Sequence, residues 1–155
     1  SGSHLDTNYY IEHDHTDAIA EDGNSVIRTI GVKAADRALE DVDAVDEDGN
    51  AVLDHYGVQM VIRGLKYNAI QKVKQQQSGY LSRTDWYIIR KADVGTDIPT
   101  AIQTFRNAIR ADATRIENAI TAATTMDEFI ALHTTTYNED RTVDQIATVQ
   151  SWTEE

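Results

Sequence analysis

A run rich in histidine and aspartate near the N-terminus holds the residue types that most directly suggest chemistry. His13, His15 and Asp17 have the His-x-His-x-Asp spacing with which binuclear zinc hydrolases present two imidazoles and a carboxylate to metal. Alternate side chains of an extended segment share a face, so these three residues are the candidate metal ligands. Such a site needs further ligands, and only two histidines follow Asp17. We therefore predict a solvated acidic loop here, with a metal-dependent hydrolase as one alternative function.

An acidic run at residues 46–50, Asp-Glu-Asp-Gly-Asn, has part of the pattern of a calcium-binding loop. With Gly49 at the sixth position of such a loop, Ala44 would be the first ligand and His55 the twelfth. Calcium loops need a carboxylate at the first position and a glutamate at the twelfth, so the sequence argues against a calcium site. The Asp-Gly pair instead predicts a hairpin turn, because glycine accepts a positive φ without steric cost.

Composition argues against several other kinds of function. The chain has no cysteine, which removes disulfides, thiolate zinc sites and cysteine nucleophiles, and it has no Gly-x-Ser-x-Gly or phosphate-loop motif. We therefore predict that the protein is not an enzyme and binds no cofactor. Its net charge of −12 argues against contact with nucleic acid or with an anionic membrane surface. No apolar run is long enough to span a bilayer.

The charges are distributed unevenly along the 155 residues. Residues 1–60 carry 3 basic and 14 acidic side chains, residues 61–110 carry 9 and 3, and residues 111–155 carry 2 and 9. A basic middle between acidic ends can pair internally or can form an interaction surface. We predict internal pairing, with the remaining charges on a solvated face.

The first part of the chain is predicted to form short strands. Residues 1–4, Ser-Gly-Ser-His, are typical of a cloning remnant and are set aside, and we predict no signal peptide. Residues 26–32 are β-branched and partly alternating, which is typical of a strand. Together with the hairpin at Gly49, they predict a β-rich N-terminal part at residues 5–57. We predict no internal repeat in the chain.

Residues 58–133 are predicted to be helical. From residue 58 to residue 77 the apolar side chains recur at intervals of three and four, which favours an amphipathic helix. Gly64 lies inside this segment, so a strand followed by a helix is the alternative. Gly79 predicts the end of the element.

A short helix is predicted to follow. Ser82 can cap it, and Asp85 lies in its first turn, where a carboxylate is favoured. The spacing of the apolar residues predicts that Tyr80, Trp86 and Ile89 face inward.

The longest predicted helix has Pro99 in its first turn. Its apolar residues form one narrow stripe of isoleucine and alanine over about seven turns. The stripe consists of Ile98, Ala101, Ile102, Phe105, Ala108, Ile109, Ala113, Ile116, Ala119, Ile120 and Ala123. Such a stripe is expected to pack closely against another helix. It can also pair the 98–123 helix with its copy in a homo-oligomer.

A last short helix and a polar tail complete the chain. Thr125 and Glu128 have the spacing of a capping box, which predicts a helix through Leu132. Residues 134–155 are polar, so we predict a loosely held tail in which Trp152 docks. These elements give an α+β fold, in which a small N-terminal part rich in β-hairpins precedes a helical C-terminal part with one long helix.

Three motifs occur in order within residues 78–123, about a third of the chain. They are Leu-Ser-Arg-Thr-Asp-Trp at 81–86, a proline at 99, and Thr-Phe-Arg-Asn-Ala-Ile-Arg at 104–110. This ordered set resembles the C-terminal region of bacteriophage tail fibre assembly proteins and related small tail-assembly chaperones. The resemblance implies that Asp85, Trp86, Pro99, Phe105 and Arg106 are structural or interaction residues, with Trp86 anchored in the core.

The function that the resemblance implies is that of a helper protein, without catalytic residues, that binds a tail fibre and promotes its folding or trimerisation. Some members of the family stay on the finished fibre. A permanent virion component, such as a fibre-tip or tail adaptor protein, is therefore the other alternative. The implied partner is a tail fibre or another tail protein. The implied location is the host cytoplasm during phage assembly, or the virion tail.

Overall fold

The computed structural model of the chain describes residues 10–19, 25–34 and 37–154, and in the first two ranges it describes only some of the side chains. The chain divides into two compact units, Ser1–Arg37 and Ala38–Glu155. In the described residues, short strands precede four helices and a small hairpin follows them. This arrangement confirms the predicted α+β class.

The first unit contains a β-hairpin. Strand β1 (Tyr10–Ile19) pairs antiparallel with strand β2 (Val26–Ala34), and the register places Asp17 opposite Arg28. The strand predicted at residues 26–32 is confirmed. The acidic loop predicted around the histidines is wrong, because those residues belong to β1. The β-branched residues of β2 favour an extended strand, and the histidine-rich run pairs with it as the other strand of the hairpin.

Three short antiparallel pairings begin the second unit and build what we call the three-arm element (residues 41–63). Val45 bridges Ala51 across a turn at 46–50, which confirms the hairpin predicted at Gly49. A second bridge, from Leu53 to Gln59, closes the second arm. The third arm is formed by strand β3 (Val42–Asp43) with strand β4 (Val61–Ile62).

The first two arms end in the same kind of turn. The carboxylates of Asp46 and Asp54 each accept hydrogen bonds from the backbone N–H groups two and four residues later. Gly49 and Gly57 have φ values of 83° and 79°, a conformation that would strain any other residue. Hydrogen bonds from the backbone and side chain of Asn50 lower the pKa of Asp46. The acidic run that suggested a calcium loop is thus the first of a pair of aspartate-stabilised turns.

The two turns belong to an eight-residue repeat, so the predicted absence of repeats is wrong. Residues 45–52 and 53–60 both have aspartate at the second position and glycine at the fifth. The N–H of Val52 donates to the carbonyl oxygen of Ala44 at 2.9 Å, and that of Met60 donates to Val52 at 2.8 Å. The N–H of Ala44 donates to Met60 at 2.8 Å and closes the ring. The arms therefore radiate from a ring of three backbone hydrogen bonds.

The strand-then-helix alternative is the correct one for residues 58–77. Strand β4 is followed by helix α1 (Leu65–Ser82), which begins after Gly64. The helix continues past Gly79, where its end was predicted, so that prediction is wrong. A glycine inside a helix costs only about 1 kcal/mol relative to alanine. The half-buried Tyr80 and Leu81, which follow it, contribute enough packing to extend the helix.

Ion pairs join the basic middle of the chain to the acidic residues before it. Arg63 pairs with Asp41, and Lys66 pairs with Glu40, each at 2.5 Å. The Lys66 ammonium also donates to the carbonyl oxygen of Thr121 at 3.0 Å. The predicted internal pairing is confirmed for these side chains.

The capping box predicted for the last short helix is confirmed. In helix α4 (Met126–Leu132), the Thr125 hydroxyl accepts the backbone N–H of Glu128 at 3.2 Å, and the Glu128 carboxylate accepts the N–H of Thr125 at 3.3 Å. Hydrogen bonds from the N–H and hydroxyl of Thr124 and from the N–H of Thr125 lower the pKa of Glu128. The box therefore favours an ionised glutamate.

The core lies around helix α3 (Thr100–Ala122), which packs against α1 and α4. The buried apolar side chains of α3 come from the predicted stripe, which is confirmed as the core face from Phe105 onwards. At the start of the stripe Ala101 is exposed, and Ile98 and Ile102 are half-buried. The buried apolar residues are Val73, Phe105, Ile109, Ala113, Ile116, Ile120, Ala123, Phe129, Ile130 and Ala147. Among the helices of the described ranges, none combines the length and the apolar character that a bilayer crossing needs.

The end of the chain attaches to α1 and α3. Strands β5 (Thr136–Tyr137) and β6 (Val143–Gln145) form a small hairpin, and a 3-10 helix follows at Thr148–Gln150. The Trp152 ring lies 5.3 Å from the Tyr80 ring, which confirms the predicted docking of this tryptophan. The segment therefore has more structure than the loose tail that was predicted.

Asp112 of α3 fixes the last residues of the chain. Its carboxylate accepts the backbone N–H of Thr153 at 2.8 Å and the Thr153 hydroxyl at 2.7 Å, and it also pairs with Arg115 at 3.0 Å. Burial alone would raise the pKa of Asp112, but the hydrogen bonds from Thr153 and Arg115 outweigh burial and lower it. A lowered pKa means that the ionised carboxylate stabilises the fold above the ordinary aspartate pKa. This stabilisation is lost as the pH falls through the folded-state pKa.

We expect Asp112→Asn to loosen the docked segment at neutral pH, because the amide carries no charge and has one oxygen fewer to accept hydrogen bonds. In a Trp86→Phe background, the fluorescence of Trp152 should then differ between chains with and without the Asp112→Asn substitution. The difference should shrink as the pH falls below the ordinary aspartate pKa, since the carboxylate of Asp112 becomes neutral as well. A difference that stays constant into strong acid would contradict this account.

Candidate interaction surface

Arg106 joins the end of α1 to the next helix, α2 (Asp85–Val94). Its side chain is only 7% exposed. The Nη1 atom donates to the Leu81 carbonyl oxygen at 2.8 Å and to the Thr84 hydroxyl at 2.7 Å, and it lies 2.9 Å from an Asp85 carboxylate oxygen. One guanidinium therefore holds the last turn of α1, the connecting residue and the first residue of α2.

The start of α2 differs from the predicted cap. Ser82 is the last residue of α1, and its hydroxyl donates back to Gly79 at 2.9 Å, so the cap predicted for Ser82 is wrong. Thr84 precedes α2, and its hydroxyl donates to Leu81 at 3.1 Å instead of capping the new helix. Asp85 is 54% exposed and stands in the first turn, where the helix dipole favours a carboxylate.

Helix α2 has no buried residue among its ten. Trp86 is 50% exposed and Ile89 is 67% exposed, so the prediction that both face inward is wrong, as is the implied anchoring of Trp86 in the core. Ile88 and Val94 are exposed as well. The junction at Arg106 fixes where α2 begins, but α2 packs only slightly on α1. The apolar side chains of α2 thus lack a covering element in the described part of the chain.

Aromatic rings and a guanidinium stack on this helix. The Trp86 and Tyr87 rings lie 3.9 Å apart, and the Arg90 guanidinium carbon lies 4.7 Å from the Trp86 centroid and 5.3 Å from that of Tyr87. Such an arrangement holds the aromatic side chains in place through cation–π contact. We call Trp86, Ile89 and Arg90 together the α2 face.

The two remaining residues of the resemblance have structural positions. Pro99 stands immediately before α3, one residue earlier than predicted, where its missing N–H costs no helical hydrogen bond. Phe105 is buried in the core beside Arg106. The structure therefore brings Asp85 and Arg106 together and leaves Trp86 exposed next to them.

The candidate metal ligands lie in the other unit. Asp17 forms two hydrogen bonds with Arg28, both at 2.8 Å, and the bond from Arg28 lowers the pKa of Asp17. Its carboxylate is thus engaged by a cation from the neighbouring strand. The side chains of His13 and His15 lie outside the described residues. No group of three or more metal-binding side chains occurs among the side chains that are described.

The three-arm element is a second exposed apolar surface, which was not predicted from the sequence. Val45 is 59% exposed, Leu53 is 53% exposed and Tyr56 is 80% exposed, and the apolar side chains of both strands of the third arm are exposed as well. Six carboxylates and no basic residue occur between residues 41 and 54. The turn at Gly49 was predicted from its Asp-Gly pair, and the same spacing of aspartate and glycine at Asp54 and Gly57 is the signal that could have revealed the second turn.

The stripe of the long helix is not available to a partner. Ile109, Ile116 and Ile120 are fully buried within one chain, against α1 and α4. A homo-oligomer that pairs the 98–123 helices through this stripe would require the core to open. Self-association must therefore use another surface.

Comparison of the chain with protein-family models, curated proteins and solved structures finds no match.

Proposed function

We propose that the protein is a bacteriophage tail fibre assembly protein that acts by contact with another polypeptide and not by catalysis. Its place of action is then the host cytoplasm during assembly, and its partner is a tail fibre or another tail protein. The observation that carries the proposal is the α2 face, an exposed aromatic and apolar helix surface that follows the motif series resembling this family.

The position of Trp86 supports a binding role. The exposed Trp86 lies beside Arg90, and tryptophan and arginine are both enriched among the residues that dominate protein interfaces. Helix α2 begins at a buried arginine, so the tryptophan is presented from a fixed base and little conformational entropy is lost on binding. An exposed amphipathic helix can dock its apolar residues into a groove of a partner.

The test is co-expression with the fibre gene expected next to this one. The wild-type protein should keep the fibre soluble and trimeric, and the double variant Trp86→Ala/Ile89→Ala should lose at least about tenfold in soluble trimer, because a central aromatic contact contributes about 2 kcal/mol or more. Tyr137→Ala removes an aromatic ring that is at least as exposed as Trp86, from the β5–β6 hairpin, and serves as the matched control. A fibre that folds and trimerises equally well without the protein would contradict the proposal.

The alternative that uses the same surface is a permanent virion component, such as a fibre-tip or tail adaptor protein. It is supported by the presence of more than one exposed apolar surface, since a lasting structural position can cover several of them. Mass spectrometry of purified particles separates the two roles. A component of the virion tail is found there in constant proportion, whereas an assembly protein that acts only in the host cytoplasm is absent.

A further inference from the structure

We propose that copies of this chain associate head to tail, with the three-arm element of one copy docking on the α2 face of the next. This proposal does not depend on a fibre partner, because it concerns the purified protein alone. It uses two exposed apolar surfaces of the second unit, the α2 face and the three-arm element.

The two surfaces match in their apolar content. The α2 face offers Trp86 and Ile89, and the three-arm element offers Val45, Leu53 and Tyr56. All five side chains are at least half exposed in the described part of the chain. Aromatic and branched aliphatic side chains of this kind form the water-free centres of protein interfaces.

The charges around the two surfaces are opposite. The six carboxylates at residues 41–54 are all exposed, and of these only Asp41 forms an ion pair in the described residues. Arg90 stacks on Trp86 and Arg83 precedes it by three residues, and neither forms an ion pair in the described residues. Arg106 pairs with Asp85 and Lys91 pairs with Asp97, which leaves Asp93 as the one further carboxylate of α2. Two three-arm elements would repel each other, whereas a three-arm element and an α2 face attract. Charge complementarity therefore favours a head-to-tail contact over a contact between identical surfaces.

One copy cannot make this contact with itself. The three-arm element ends directly before α1, and α2 begins shortly after the end of α1. Eighteen residues of helix are about 27 Å long, and α1 is attached to α3 at both ends, through Lys66 and through Arg106. The two surfaces thus lie at opposite ends of a rigid rod. A contact of this kind joins different patches and propagates until a ring closes or a filament forms.

Sedimentation equilibrium of the full chain tests the proposal. The wild type should form dimers and larger species as concentration rises to about 1 mM, and association should weaken at least about tenfold between ionic strengths of about 0.1 M and 1 M. Trp86→Ala disables the α2 face, and Leu53→Lys disables the three-arm element. Each variant alone should be monomeric, whereas an equimolar mixture of the two should form a heterodimer and nothing larger, because one intact surface of each kind remains.

Matched controls decide the outcome. Tyr137→Ala should associate like the wild type, and a chain with both substitutions should not restore association with either single variant. Tyr56→Ser, at the tip of an arm, replaces Leu53→Lys if the latter alters the circular dichroism spectrum. A wild type that is monomeric at about 1 mM, or single variants that fail to complement each other, would overturn the proposal. Failure of the fibre test would leave this result unaffected, because no fibre is present.

Discussion

Arg106→Ala is expected to lower the free energy of unfolding by about 3 kcal/mol. The guanidinium is the common partner of the Leu81 carbonyl, the Thr84 hydroxyl and the Asp85 carboxylate. Thr84 is 2% exposed, so its hydroxyl would lose a charged partner in a place that water reaches poorly. The Asp85 contribution is small, because that carboxylate is largely in solvent. Urea unfolding followed by circular dichroism measures the change.

Arg110→Ala is the matched control, since Arg110 lies one turn later on α3 and its side chain donates only a long hydrogen bond, at 3.4 Å, to Asn107 within the described residues. It should change stability by no more than about 0.5 kcal/mol. Arg106→Lys should recover only part of the loss, because the lysine side chain is one bond shorter and does not bring its ammonium to the position of the Nη1 atom, which contacts all three acceptors. Equal effects of Arg106→Ala and Arg110→Ala would contradict the junction described above.

The elements that sequence reasoning predicted well are those with strong local signals. The hairpin at Gly49 follows from one Asp-Gly pair, and the capping box follows from Thr125 and Glu128, which lie three residues apart. The core face of the long helix follows from the periodicity of its own residues. Each of these signals is complete within one element, so no knowledge of tertiary contacts is needed to interpret it.

The predictions that failed depend on contacts between distant residues. Trp86 and Ile89 have inward-facing spacing, but whether a helix face is buried depends on whether another element covers it, and no element in the described residues covers α2. Gly79 ends a helix only if the residues after it have nothing to contact, and Trp152, about seventy residues away, packs against Tyr80. The hydrogen-bonded ring of the three-arm element joins residues eight and sixteen positions apart, which a search for longer repeats overlooks.

The sequence predicted which residues lie at the candidate surface, but not which of them are buried and which are exposed. The motif series singled out residues 84–86 and 105–106, and the structure brings Arg106 into contact with Thr84 and Asp85. Arg106, a charged residue, is the buried member, and Trp86, the apolar residue, is exposed. A guanidinium can be buried when carbonyl, hydroxyl and carboxylate oxygens surround it, and those partners come from a segment more than twenty residues away. The inversion of burial could not be inferred from residue types alone.

Gly64→Ala is expected to lower the free energy of unfolding by at least about 3 kcal/mol, because the new methyl group would overlap backbone atoms that cannot rotate away. A Cβ atom on Gly64 would collide with the backbone carbonyl groups of Leu39 and Glu40. The same short segment caps α1, since Leu65 and Lys66 donate their N–H groups to Ala38 and Leu39 at 3.1 and 3.0 Å. Moving the segment away to relieve the overlap would therefore break the cap as well.

Gly79→Ala, inside α1, is expected to raise the free energy of unfolding. A Cβ atom at Gly79 would meet nothing within 4 Å, and the residue lies inside α1, so alanine should raise stability by roughly 0.5–1 kcal/mol through its better helix propensity. Urea unfolding of both variants gives their free energies of unfolding. Relative to the wild type, the value should fall for Gly64→Ala and rise for Gly79→Ala. The two substitutions would then differ by about 4 kcal/mol in their effect on stability, because backbone atoms lie against Gly64, whereas Gly79 has open space at its Cβ position and gains helix propensity. A Gly64→Ala chain as stable as the wild type would show that residues 38–41 do not lie against the start of α1.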